Sequence, residues 1–114
     1  MRRSALLSLF LFISFVSLVA QSLQDRIKAL PDIDSVEKME QNPFFSEAYM
    51  VNVRQLVDHQ HPEKGYFPQR VFVSHLSYDS PVVFVTEGYG GAYALGKRYL
   101  DELCPILKAN QFFV

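Results

Sequence analysis

The sequence predicts an α/β fold with a mixed β-sheet, and three stretches carry that prediction. Val82, Val83, Phe84 and Val85 form an unbroken apolar run, the pattern of a strand covered on both faces, as in a parallel sheet flanked by helices. Tyr49, Val51, Val53 and Val57 fall on one side of a two-residue period, with Asn52 and Arg54 on the other. From Phe67 to Leu76 the alternation recurs, Phe67, Val71 and Val73 against Arg70, Phe72 and Ser74. Both segments therefore read as half-buried strands, most simply an antiparallel pair that opens the sheet. Past Gly88, Gly90 and Gly91, the positions Leu100, Leu103, Cys104 and Leu107 return to helical spacing.

A chain of 114 residues holds at most one domain, and 49% hydrophobic residues make it globular rather than disordered. Part of that apolar content has another use. Met1-Arg2-Arg3 is a positive start, Ala5 through Ala20 is an uncharged run, and small residues follow at Ala20 and Ser22. This order defines a secretory signal peptide over residues 1–20, with cleavage after Ala20 or after Ser22. The run is short for a membrane span and no basic cluster follows it, so no stable anchor is expected after cleavage. The expected location is exported, either periplasmic or extracellular. Cys104, the one cysteine, has no partner for an internal disulfide and lies too far along the chain to take lipid at a processed amino terminus. A net charge of -1 without a basic run gives no footprint for nucleic acid.

In chain order, Ser22 caps a short helix with Asp25 three residues on, and Leu23, Ile27 and Leu30 form one stripe before Pro31 ends it. Asp32 to Met39 reads equally as a short edge strand or a turn. Asn42-Pro43 is a break, and Phe44 and Phe45 plug the base of the sheet. Tyr78-Asp79-Ser80-Pro81 turns the chain into the central strand, and it is too short for a crossover helix. The sheet is thus antiparallel first and parallel later. Pro105 interrupts the helical stripe, which predicts a kink or a helix restarting near Ile106, with Asn110 ending it. Another apolar strand begins at Gln111.

The glycine-rich turn has two physical uses. As a dinucleotide-binding fingerprint it fails, because Tyr93 stands where a small residue is needed and no ribose-binding acid follows a second strand. No cofactor is expected. As an oxyanion hole it needs only backbone N–H groups brought close to a developing negative charge, which Cβ-free positions allow. Glu87, at the carboxyl end of a strand that reads as buried, is costly there unless paired or used, and it reads either as a prop for the glycine turn or as a substrate contact. Ser74-His75 has the composition of a nucleophile and base, yet neighbours on a strand point to opposite faces, so both read as structural. His59 and His61 lack a third ligand at suitable spacing, and no metal is expected.

Asp58-His59, Pro62, Gly65, Phe67, Gln69-Arg70-Val71, Val73-Ser74-His75, Val85-Thr86-Glu87-Gly88-Tyr89-Gly90 with Ala92-Tyr93, and Asn110-Gln111 ahead of an apolar strand share order and spacing with one family. In these residues, roughly Phe44 to Val114, the chain resembles the amino-terminal region of the secreted serine tripeptidyl aminopeptidases, the PS-ten peptidases. Asp58-His59, Pro62 and Phe67-x-Gln69-Arg70 suggest a more distant likeness to prolyl-type serine carboxypeptidases. The resemblance implies an incomplete α/β-hydrolase fold over residues 21–114, comprising the first strands and the oxyanion loop of a mixed sheet. It implies catalytic backbone groups at Gly88, Tyr89 and Gly90, a weaker substrate-binding role for Glu87, and a peptide as substrate of the intact parent. The Gly-x-Ser-x-Gly element, the triad acid and the triad histidine are absent from these residues, so the chain alone is expected to be inactive. A small exported binding or structural module without catalysis is the other class the sequence allows.

Overall fold

The computed structural model describes residues 20–87 and 99–114. The sequence-predicted signal region therefore lies, except for Ala20, outside the described residues. Helix α1, Leu23–Lys28, starts where the hydroxyl of Ser22 accepts from the Asp25 amide at 3.2 Å and donates to its carboxylate at 2.6 Å. This satisfies one amide of the first turn and puts negative charge at the positive end of the helix. Leu23 and Ile27 face the sheet, while Leu30 lies past the last turn, 57% exposed.

Five strands follow: β1 Ile33–Met39, β2 Glu47–Leu56, β3 Tyr66–His75, β4 Val82–Val85 and β5 Asn110–Phe113. They form one sheet in the order β1-β2-β3-β5-β4, antiparallel except for the parallel pair β4 and β5. The chain is therefore α/β with a mixed sheet, antiparallel first and parallel last, as the sequence predicts. The open reading of Asp32 to Met39 resolves as an edge strand, with Val36 opposite Val51. Asn42 forms the expected break, its side-chain oxygen accepting from the Phe44 amide at 2.9 Å. Phe45 is buried there, edge-on to Phe44 at 5.0 Å.

Alternation divides the core between the two faces of the sheet. On the α1 face, Val36, Tyr49, Val51 and Val73 are buried, with Leu23, Ile27, Val71 and Phe112 against them. On the other face Phe72 and Phe113 are buried with Met39, Met50, Val85 and Tyr99. Each such side chain removed from water stabilises the fold by about 1.5–3 kcal/mol before conformational entropy is charged against it. Between α1 and the β3–β4 turn a groove of about 350 Å³ stays open, floored by Val51, Val73 and Phe112 and flanked by Tyr78 and Val82.

Three local expectations are corrected. Strand β4 is not covered on both faces: it is the sheet edge, and Val82 and Phe84 are 53% and 59% exposed. An apolar run reports what a strand is suited to touch, and among the described residues nothing lies over that part of the α1 face. Pro105 breaks nothing, because helix α2 is only Leu103–Leu107 and the proline sits in its first turn, where an amide hydrogen would have no helical partner. Its stripe also faces outward, with Leu103, Ile106 and Leu107 exposed and Cys104 alone buried. Asn110 does not end the helix. Lys108 does so at φ 50°, a left-handed cap, and Asn110 is already the first residue of β5.

Candidate functional site at the end of the parallel pair

Among the described residues, the parallel pair is β4 with β5, and β4 leads in sequence to a glycine-rich segment. The pairing of β4 with β5 continues past the regular strands: the Val114 amide donates to the Val85 carbonyl at 2.9 Å, and the Glu87 amide donates to the Val114 carbonyl at 3.1 Å. Glu87, the residue before Gly88, is thus still tied to the ladder. Its position at a sheet edge leaves it exposed. The desolvation cost expected for a carboxylate on a buried strand therefore does not arise, and a prop and a substrate contact remain its two uses. Gly88, Tyr89 and Gly90, the sequence-predicted oxyanion residues, lie outside the described residues.

Two neighbouring amides on β5 tie the surroundings of this edge together, one on each face. Asn110, 6% exposed, accepts from the amides of Leu76 and Ser77 at 2.7 and 3.2 Å. It also donates to the carbonyls of Ser77 and Ser80 at 2.8 and 3.0 Å. This side chain thus ties the turn that launches β4 to β5, beside the turn's own bond from the Ser80 amide to the Ser77 carbonyl. Gln111, 2% exposed, accepts from the Asp101 amide at 2.7 Å and from the Cys104 thiol at 3.6 Å, and donates to the Tyr99 carbonyl at 3.4 Å. Burial, aided by the nearby Asp101 carboxylate, pushes the Cys104 thiol up from its ordinary range, so it stays protonated as a donor.

Sequence reasoning took Asn110 for a helix end and missed both clamps. The signal was there: two amide side chains at the entry of an apolar strand must be hydrogen-bonded if that strand is internal, and β5 is internal.

The remaining candidates do not converge. Ser74 and His75 lie on opposite faces of β3, as expected from alternation, and the His75 ring rests against Tyr78 at 4.7 Å. In the Asp58 to Gly65 connection, Lys64 bonds Asp58 at 2.7 Å and His61 approaches Glu63 at 3.1 Å. Asp58 is held below the usual carboxylate range, first by that lysine and then by the Gln60 amide. Gly65, at φ 94°, ends the connection where a Cβ would be strained. Among the described residues no cluster of three or more metal-ligating side chains occurs, and no helix is long and apolar enough to cross a membrane.

The profile of the PS-10 peptidase S37 family matches residues 18–112. A prolyl tri/tetrapeptidyl aminopeptidase of Streptomyces mobaraensis is 41% identical over 68 residues, which amount to 59% of this chain and 14% of that protein. The chain therefore corresponds to a small part of the length of the curated relative that it matches. No solved structure matches it.

Proposed function

The chain belongs to the PS-10 peptidase S37 family, and on that premise we propose that it is the amino-terminal part of an exported serine peptidase with an α/β-hydrolase fold. The enzyme releases short peptides from free amino termini. Residues 1–20 direct export, and the mature part supplies the first strands of the sheet and the oxyanion loop at Gly88, Tyr89 and Gly90. The serine, acid and histidine of the triad come from sequence outside these residues. The observation that carries the reading is the end of β4, where the parallel pairing reaches Glu87, the residue that precedes the glycine-rich stretch in sequence. In an α/β-hydrolase, amides at this place accept the charge that forms on the scissile carbonyl oxygen. The open edge of β4 supports the same reading, since that arrangement seats the nucleophile-bearing strand beside it.

The chemistry follows from those positions. A serine oxygen, its proton taken by the histidine, adds to the scissile carbonyl, and the resulting oxyanion is held by the loop amides. Collapse transfers that proton to the leaving amine and leaves an acyl-enzyme, which water hydrolyses by the same route. In this reading Glu87 meets the substrate's free ammonium group, a role that its exposure supports.

The test is to translate and express the full reading frame that carries this chain and to assay peptides with free and acetylated amino termini. Free peptides should be cleaved. Gly90→Val should lower turnover by about two orders of magnitude with a smaller effect on KM, the size of losing an oxyanion donor. Glu87→Gln should raise KM for free peptides alone. Unchanged turnover in Gly90→Val refutes the oxyanion role.

A further inference from the structure

We propose that the open α1 face of the parallel half is the seat of a helix supplied by the segment that follows Val114 in the full reading frame, with Arg26 holding its carboxyl end. The inference rests on the function proposed above, in which a further parallel strand pairs with the free edge of β4. Sheet handedness then chooses the face. The described part of the connection from β4 to β5 lies opposite α1, where Gln111 bonds the Asp101 amide and Tyr99 packs on Phe113. That connection moves inward from the sheet edge, whereas one from β5 to a strand outside β4 moves outward. Crossovers between parallel strands share a right hand, so two that move in opposite directions take opposite faces, and the second crosses the α1 face.

That face is made for an apolar stripe. Val82 and Phe84 stand exposed on it, Phe84 beside Phe112, and Phe112 floors the groove with Val51 and Val73. Such a floor gives ordered water no partners, and a helix with apolar residues three and four apart covers it. A crossover helix runs antiparallel to its strands, which brings its carboxyl end over the amino ends of β4 and β5. Tyr78 flanks the groove at that end, and the Arg26 guanidinium lies over its ring at 4.9 Å. Arg26 makes no ion pair among the described residues, and the carboxyl end of a helix carries about half a negative charge. A second copy seated here would block the face that the connection needs.

The experiment replaces Phe84 with the photo-crosslinking residue p-benzoylphenylalanine in the expressed full reading frame, maps the cross-linked peptides by mass spectrometry and reads amide hydrogen exchange alongside. Cross-links should form within one molecule, to a protected segment within about 40 residues after Val114, because a strand–helix–strand unit takes about 30 residues or more. Arg26→Gln should speed exchange at the carboxyl end of that segment by about twofold to fivefold, and by more than at Ala29 in α1, while Arg26→Lys should leave it unchanged. The proposal is overturned if the cross-links join two copies, if they fall on later sequence or do not form, or if Arg26→Gln leaves that exchange unchanged. Peptide cleavage by the wild-type protein is read separately. Cleavage without these cross-links sinks the helix seat and leaves the function proposed above standing, and cross-links without cleavage do the reverse.

Discussion

The antiparallel and parallel halves of the sheet are built to different degrees of closure. Strands β1, β2 and β3 pair along nearly their full lengths, and α1 covers one face with Leu23 and Ile27 over Val36, Val51 and Val73. Strands β4 and β5 are four residues each, Val82 and Phe84 stand exposed at the edge, and α2 turns Ile106 and Leu107 to solvent. In the first half the middle of the sheet is packed under α1, and the exposed apolar side chains, such as Tyr66 and Phe67, lie at the start of β3. The second half carries apolar surface of similar quality without cover from the described residues, together with the glycine-rich segment. Under the function proposed above, this uncovered half is the part that further sequence completes.

The contrast can be broken most strongly at Phe113. This side chain is 1% exposed, edge-on to Phe72 at 6.1 Å and to Tyr99 at 5.5 Å, and it joins β5 to the antiparallel half. Phe113→Ala in the full protein should cost about 3–5 kcal/mol, whereas Phe84→Ala, on the exposed edge, should cost no more than about 0.5 kcal/mol if that edge stays uncovered. Denaturant midpoints compare the two. A large loss from Phe84→Ala would mean that further sequence buries the edge, which sharpens the contrast into a statement about assembly.

Asn110→Leu comes next. It leaves the amides of Leu76 and Ser77 without their acceptor and should cost about 2–3 kcal/mol, with exchange rising first in the turn that launches β4. Loss confined to β1 and β2 would contradict the clamp.

A smaller effect belongs to the closed half. The hydroxyl of Tyr49, 4% exposed, donates to Glu47 at 2.6 Å. Burial first, and then that bond, push its pKa from 10.0 to about 12. Because the folded-state value is raised, the neutral hydroxyl's contribution is fully present below pH 10.0 and is lost as pH rises through about 12. Tyr49→Phe should remove about 1 kcal/mol near neutrality and flatten the stability profile across that alkaline window. An unchanged profile in an alkaline titration followed by circular dichroism would assign the steepness to other groups.

Legibility from sequence follows the same division. Period-two alternation exposed β2 and β3 because one face of each is buried and the other is not, and the Ser22 cap with its Leu23 and Ile27 stripe exposed α1. Val82 to Val85 misled because an all-apolar strand looks the same whether its cover is supplied by this chain or by other sequence. Pro105 misled because a five-residue helix is all first and last turn, so the rule against interior proline has no interior to act on. The clamping bonds of Asn110 and Gln111 were not legible, since they reach about 30 residues back to the turn and 10 back to Asp101, beyond any local pattern. The glycine-rich segment lies outside the described residues, so the oxyanion reading of Gly88, Tyr89 and Gly90 rests on the sequence pattern.

The most direct test of the open parallel half is the behaviour of residues 23–114 alone in size exclusion with a thermal melt. With the β4 edge and the Val82–Phe84 side uncovered, the account predicts self-association through that edge and a broad, non-cooperative transition. A sharp monomer peak with a single cooperative melt would show that the sheet is closed as it stands, and would contradict the claim that this chain is the first part of a larger sheet.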